Sequence, residues 1–600
     1  MLKSCLLIAT LVSAAVLTSS AQTSTEQQDW IKRSNENAQI LLQVTARFSP
    51  EYAGQTGVEG VDEQIIDLRP GYRERVQKAI REALAQLEQK LQTEKDPLVR
   101  QDLEISIKAT RERLRGLELE EKYEIPSFNM NQLVFGGLRA LLDDQVAPER
   151  RKAAVVRLRK YAGTEQGYAP VTVLAEQRIR ERLSVPGLQG PARAEVEKQL
   201  ETADFFINGI GELFKKYKLE GWEQPYAQLR QQLVAYNDFV RKEVLPRARQ
   251  DFRLPPEVYQ FSLQTVGIDI PADELARRAH AAFNEIQQQM QKLAPAVAKQ
   301  RGFSATDYRD VVRELKKDQL VGEAILPHYQ SRLKDLETII KRENLVSLPD
   351  RPARIRLASP AESASVPAPN MRPPRLIGNK GEQGEFVLPL SVPTGKGGDA
   401  KRFDDFTFTA ASWTLTAHEA RPGHEMQFAS MVERGVTIPR AVFAFNSVNV
   451  EGWGLYAEYI TFPYMPPDGQ LISLQHRLMR AARAFLDPEL QSGKITPEQA
   501  LRVLKEDVVL SDAMANQEVE RYTFRSPGQA PSYFYGYTRL VELRKDAEQK
   551  LGPKFDARKF HDFILSQGLL PPDMMRRAVM EQFVGSEKAA SRSASSQPGA

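Results

Sequence analysis

Cysteine is nearly absent: Cys5 is the only one in 600 residues, so no disulfide framework can hold this chain. An excess of either charge is missing too. The 82 Lys and Arg stand against 78 Asp and Glu for a net +4, and such a balance excludes the basic surface that a nucleic-acid partner requires. Beyond the first residues there is no apolar run of membrane-spanning length, which predicts no stable membrane insertion. Glycine (35) and proline (37) stay at ordinary levels while 42% of residues are hydrophobic. Collagen-like and disordered classes are thereby excluded, and the chain can bury a sizeable core. Histidine is scarce, with six in all, so where the histidines fall is informative.

The N-terminus supplies an address. Met1-Leu2-Lys3 gives a positive start, Leu6 to Leu17 a short apolar stretch, and Ser19-Ser20-Ala21 a small-residue cleavage site. This is the pattern of a secretory signal peptide over residues 1–21, and it predicts an exported protein, periplasmic or secreted. Cys5 stands at the front of the apolar run rather than behind it, which argues against lipid attachment.

Most of the remaining chain reads as helix. From Tyr72 to Leu119 the apolar positions Val76, Ile80, Ala83, Leu84, Leu87 and Leu91 recur every three or four residues among dense charges, as in amphipathic bundle helices. Similar periodicity runs through Asn131–Leu142, Pro191–Tyr217, Pro225–Val244 and Pro271–Leu293. Residues 22–350 therefore read as an N-terminal helical lobe. Leu345 to Gln383 carries seven prolines and is expected to be a long loop that could cover a site. Glu385 to Leu390 reads as a short strand, with Pro389 favouring an edge position. Residues 351–585 form the expected catalytic lobe, and the Ser/Ala-rich 586–600 a disordered tail. The fold class expected is mostly α, a large two-lobed multi-helix unit with at most a small edge sheet.

The chemistry concentrates at His418-Glu419-Ala420-Arg421-Pro422-Gly423-His424. A zinc-peptidase helix spaces its two histidines by four, so that both rings meet one metal while the intervening glutamate holds a water. Here the spacing is six, which on a straight helix turns the rings about 240° apart. Pro422 falls four residues after His418, where its ring clashes with the His418 carbonyl, and Gly423 permits unusual dihedrals. A kink or bulge that loops out two residues is expected to re-aim His424 toward the metal. Glu451 and Glu458 come next, seven residues apart and about 20° apart around a helix axis. Glu451 is the expected third ligand. Glu458, two turns on, is placed to hold the other ring nitrogen of a ligand histidine. The segment is too apolar, through Val448, Trp453, Leu455 and Tyr456, to be a surface helix, and a buried carboxylate needs a partner such as a metal.

The segments His418-Glu-Ala-Arg-Pro-Gly-His-Glu-Met-Gln427, Glu451-Gly-Trp-Gly-Leu-Tyr-Ala-Glu458, Arg521-Tyr522, Pro527-Gly-Gln-Ala530, Ser532-Tyr533 and Phe560-His-Asp562 resemble, in the same order, the bacterial "domain of unknown function 885" family. That family is similar to helical gluzincin zinc peptidases, the thimet-type oligopeptidases and Taq-type carboxypeptidases among them. The resemblance implies a helical, cleft-bearing protein with one zinc ion and peptide-hydrolysing chemistry on small peptides. The sequence departs from the family at two places. Glu425 stands where a second histidine often follows His424, and Asp487-Pro488-Glu489-Leu490-Gln491 replaces an Asp-x-Gly-x-His stretch.

With zinc on His418, His424 and Glu451, Glu419 is the expected general base, taking the proton of the attacking water and later delivering one to the leaving amine. A tyrosine hydroxyl serves the developing oxyanion. Tyr533 matches the family's position after Pro-Gly-Gln-Ala, and Tyr537 is the second candidate. Arg521, and less so Arg544, has the bidentate geometry for a substrate carboxylate. His280, His328 and His476 lack ligand-type partners at suitable spacing, and His561 reads as structural. A zinc amidase or esterase would use the same residues, and so would a zinc-holding scaffold without turnover. Glu419 argues against the last, because a purely structural zinc site is closed by four protein ligands and needs no base.

Overall fold

The computed structural model describes residues 29–366, 368–389, 391–392, 401–402 and 404–587. The expected signal segment at residues 1–21 lies outside the described residues, as does the expected tail at 586–600 apart from Ser586 and Glu587. The molecule is mostly α-helical, and its strands are few and short. Among the described residues no helix is long and apolar enough to cross a membrane.

Helical periodicity becomes burial directly. The helix Tyr72–Thr93 buries Val76, Ile80, Ala83 and Leu87, one stripe at three- and four-residue spacing. It pairs with Pro97–Tyr123, whose Asp96 cap accepts from the Leu98 amide at 2.9 Å. Five further helices, Met130–Arg139, Ala153–Ala162, Val171–Leu183, Arg193–Lys216 and Glu223–Phe239, close around Phe135, Tyr161, Phe206, Phe214 and Tyr236. A second large core takes in Ala272–Arg301, Tyr308–Leu315 and Ile325–Arg342 together with Ala411–Glu419 and Pro467–Gln491, while His424–Arg434 and most of Ser447–Thr461 pack in a third. This core crosses the lobe border expected at residue 350. The helix Ala272–Arg301 runs through Pro295 and eight residues past Leu293, because its Ala294, Val297 and Ala298 continue the buried stripe.

The motif helices are α1 (Ala411–Glu419), α2 (His424–Arg434), α3 (Ser447–Thr461), α4 (Pro467–Gln491) and α5 (Ser532–Leu551). Apart from Trp413, every residue of α1 is buried. That burial explains why α1 lacks an amphipathic stripe: neighbours surround it on all sides.

Two expectations are corrected in the proline-rich segment. Leu345 to Gln383 is not a continuous loop but contains β1 (Arg354–Leu357), the short helix Pro360–Ser365 and β2 (Asn370–Arg372). The prolines fall at element starts and between elements, where no ladder or helix donor is lost. Then β3 (Glu385–Leu388) is central rather than at an edge, paired parallel to β1 and antiparallel to β2. Pro389 lies one residue past the strand and costs it no hydrogen bond. The four β3 residues are all buried, which suits a central strand.

Candidate metal centre

The first ligand helix does not bulge between its histidines; it ends. At Ala420 the backbone leaves the helical region (φ −104°, ψ −101°), the Arg421–Pro422 peptide is cis, and α2 begins anew at His424. In place of the expected kink stands a complete break with a second helix after it. Gly423 is indispensable to it, since a Cβ there would stand 1.9 Å from the His418 carbonyl oxygen and 2.4 Å from that of Ala417. The break is tied on three sides. The Trp453 indole donates to the Pro422 carbonyl at 2.9 Å, and Arg421 donates to Glu425 at 2.8 Å and to Glu337 at 2.7 Å. Arg421 also donates to the Arg351 carbonyl, so the proline-rich segment is anchored on the turn between the histidines.

The two imidazoles come together across the break, ring centroids 4.6 Å apart and nearly perpendicular. Facing them is Glu451 of α3, whose Oε2 lies 3.2 Å from His424 Nε2 and 3.4 Å from His418 Nε2. Donor atoms of His418, His424 and Glu451 all lie within 4.8 Å of one another. Asn446 caps α3 by accepting from the Asn449 amide at 2.8 Å, which fixes where the helix starts and hence where Glu451 points. Two turns on, Glu458 receives the His418 Nδ1 proton at 2.7 Å and also accepts from the Thr414 hydroxyl. With Nδ1 so occupied, Nε2 is the ring nitrogen that His418 turns toward Glu451.

Burial would lower the His418 pKa, but the hydrogen bonds to Glu451 and Glu458 outweigh it and hold the ring at about 9. Glu451 is driven far below the carboxylate range by the two imidazoles, against the opposite pull of burial. Burial raises Glu419 in spite of those same imidazoles. Three carboxylates thus converge on two neutral-capable rings in a buried space. Such a set calls for a cation, and two nitrogens with one carboxylate oxygen match the donor preference of zinc. Glu419 itself accepts no hydrogen bond from any described residue that would divert it; it opens onto the adjoining cavity beside His424 and Glu451.

Glycine sets the spacing of the site at two further points. A Cβ on Gly454 would lie 2.5 Å from His418 Cε1, so only glycine lets α3 cradle that ring. Gly452 and Gly536 let α3 and α5 cross in near contact, a Cβ on Gly536 falling 2.0 Å from the Val448 carbonyl oxygen. The crossing seats Tyr533 of α5 beside the two histidines, its ring nearly parallel to that of His418 at 6.2 Å.

Tyr533 lines the cavity and receives an Arg521 Nη2 donor on its hydroxyl at 3.0 Å. Beneath the ring lies Arg483, its guanidinium 4.4 Å from the ring centroid and paired twice at 2.6 Å with buried Glu518. Glu518 is held at about 2, since Arg483 overcomes the opposing effect of burial. Arg521 also lines the cavity and bonds Gln529 through Nε at 3.0 Å. Tyr537 sits elsewhere: one turn along α5, it packs edge-on against Tyr459 and under Arg477, and it does not line the cavity. Arg544 pairs with Glu548 at 2.7 Å, and His561 bridges the Tyr456 hydroxyl and the Leu345 carbonyl. In the stretch that departs from the family's Asp-x-Gly-x-His, Gln491 stands in the histidine's place and donates to the Tyr522 carbonyl at 2.8 Å, while Asp487 accepts from the Tyr259 hydroxyl and the Gly528 amide and is pushed up by burial to about 7.

Sequence reasoning missed Gly454, Gly536, Arg483 and Glu518. Gly454 sits within a family motif and Gly536 close behind another, but a missing side chain carries no chemical signal of its own. The Arg483–Glu518 pair joins helices 35 residues apart, with no local spacing to betray it.

The cavity measures about 1010 Å³ and lies between the N-terminal helices, through Gln132, Lys198 and Phe206, and the motif helices. Residues of the proline-rich segment, Ala364 to Leu376, form its roof.

Comparison with known proteins places the chain. A family model described as "Bacterial protein of unknown function (DUF885)" matches residues 50–579. Two crystal structures share the fold. A candidate lipoprotein from Colwellia psychrerythraea superposes with a TM-score of 0.74 at 18% identity, covering 92% of this chain and 99% of its own. A candidate lipoprotein of unknown function from Shewanella oneidensis gives 0.67, also at 18% identity, covering 92% and 100%. Among curated proteins none matches the sequence. The family match spans most of the chain, and the chain belongs to the DUF885 family.

Proposed function

We propose that this DUF885 protein is an exported zinc-dependent peptidase that hydrolyses peptide bonds of small peptides. The observation that carries the reading is the convergence of His418, His424 and Glu451 donors at the wall of a large cavity, with the unengaged Glu419 carboxylate beside them. Helix-borne His, Glu, His and a Glu from a following helix are the arrangement of the gluzincin peptidases that the motifs resemble. A zinc ion held by the three ligands would polarise a substrate carbonyl and acidify a water.

The remaining work falls to side chains of this protein. Glu419, raised by burial, is suited to accept a proton and to give one back. Tyr533 offers a phenolic donor to the cavity, and Arg521 orients that hydroxyl from the cavity wall, where its positive charge favours a substrate carboxylate. Glu458 holds the His418 ring in the tautomer that ligation needs. Export is supported by the apolar stretch Leu6–Leu17 and by the lipoprotein descriptions of both structural neighbours.

The test is a mixed library of short peptides incubated with the purified protein and with Glu419→Gln, products being identified by mass spectrometry. Cleavage by the parent, a loss of roughly 100-fold or more in Glu419→Gln, and one zinc in both are expected. Zinc in both with no peptide cleaved by either would defeat the peptidase reading.

A further inference from the structure

The cavity is not uniform around the candidate metal centre. On the side of Tyr533 its wall is charged and hydrogen-bonding, through Arg521 and Arg525. The opposite flank is apolar. Phe428 stands one helical turn after His424 on the same face of α2, and Val450 directly precedes Glu451. Both line the cavity, together with Val442, Phe445, Met371 and Leu376. Except for Phe445, these residues belong to the single apolar cluster that also contains Trp453 and Phe560, so the flank is a core surface left open toward the cavity.

Exposure singles out the same place. Among the described residues the protein leaves two aromatic side chains exposed, Phe445 at 58% and Tyr52 at 51%, and both line this cavity. Tyr52 reaches it from the helix Pro50–Thr56, which lies against the roof through the Ile377 amide and the Thr56 carbonyl at 2.9 Å. Exposed aromatics that line the cavity opening onto the centre mark a binding surface rather than a packing remnant.

We propose that this flank is a specificity pocket for one large apolar side chain, aromatic or branched aliphatic, of the peptide whose backbone passes the metal centre. The proposal rests on the peptidase reading for the bond that is cut, and it adds which peptides are chosen. The pocket begins one turn from His424, so the apolar side chain belongs to a residue flanking the scissile bond.

The test uses two acetylated, amidated pentapeptides identical except for phenylalanine or serine at the central position. Their binding to the zinc-loaded Glu419→Gln protein is measured by calorimetry, and their kcat/KM with the parent. The phenylalanine peptide should be favoured roughly tenfold or more in both. The double variant Phe445→Ala with Tyr52→Ala, at two exposed positions, should bring the ratio close to unity by lowering binding and kcat/KM of the phenylalanine peptide. Phe445→Leu alone should keep most of the preference. Equal treatment of the two peptides by the parent, or a preference that survives the double substitution, would overturn the pocket while leaving hydrolysis intact. Selective binding abolished by the double variant, without any hydrolysis in the parent, would support the pocket and defeat the peptidase reading.

Discussion

At the scale of single residues the site depends on what is absent as much as on its ligands. Gly454 is the clearest case, because a methyl group there would stand 2.5 Å from His418 Cε1. Alanine normally improves a helix interior by about 1 kcal/mol over glycine. Gly454→Ala is expected to do the opposite for the metal. By displacing the His418 ring it should weaken zinc binding roughly tenfold or more, read by competition with a chromophoric chelator. Unchanged affinity would show that the ring does not depend on that cradle. His418, Glu419, His424, Glu451 and Glu458 are all legible in the sequence, because chemically distinctive side chains cluster there, the two carboxylates at a helix-compatible seven and the two histidines across a Pro-Gly that must interrupt the helix. The glycines carry no such mark, and their role emerges only from which ring or carbonyl lies opposite.

At the scale of elements, two contacts position the centre. The first is the α3–α5 crossing, where Gly536→Ala would drive a methyl into the Val448 carbonyl oxygen. Such overpacking against backbone should cost about 1–3 kcal/mol. Gly136→Ala, in a helix with nothing within 4 Å of the new Cβ, should be neutral or stabilising. Thermal unfolding of the two variants checks the contrast, and similar melting points would contradict the crossing as a constraint.

The second contact is the roof. Glu362, from the short helix Pro360–Ser365, pairs with Arg139 of the N-terminal helices and bonds Arg356 of β1 at 2.8 Å. Burial alone would raise Glu362, yet the arginines hold it at about 2 instead of its ordinary 4.5. Because the folded value is depressed, the stabilisation is present above about pH 4.5 and drains away as the pH falls from there toward 2. It is on the order of 3 kcal/mol. Glu362→Gln should therefore flatten the dependence of unfolding free energy on pH across that window, and an unaltered slope would contradict the pairing. That this segment covers the site is legible in the sequence, but its internal strands and helix are not. Seven prolines read as a loop, whereas strand pairing depends on partners thirty residues away and leaves little trace in a four-residue segment.

At the scale of the whole molecule, helical periodicity makes the mostly α architecture readable, since each amphipathic stripe has to find a partner. How the stripes partner cannot be read from it. The helix Ala272–Arg301 shares a core with α1 and α4 although it lies far upstream, and the cavity lies where α2, α3 and Tyr533 of α5 face the N-terminal helices beside the proline-rich segment. The central claim is that this cavity is built around a zinc ion held by three residues. Anomalous diffraction from crystals of the purified protein, collected on both sides of the zinc edge, tests it most directly. The account predicts a single peak bonded to His418 Nε2, His424 Nε2 and Glu451, with the side facing Glu419 open to the cavity. No peak there, or one closed off by a fourth protein ligand, would contradict it.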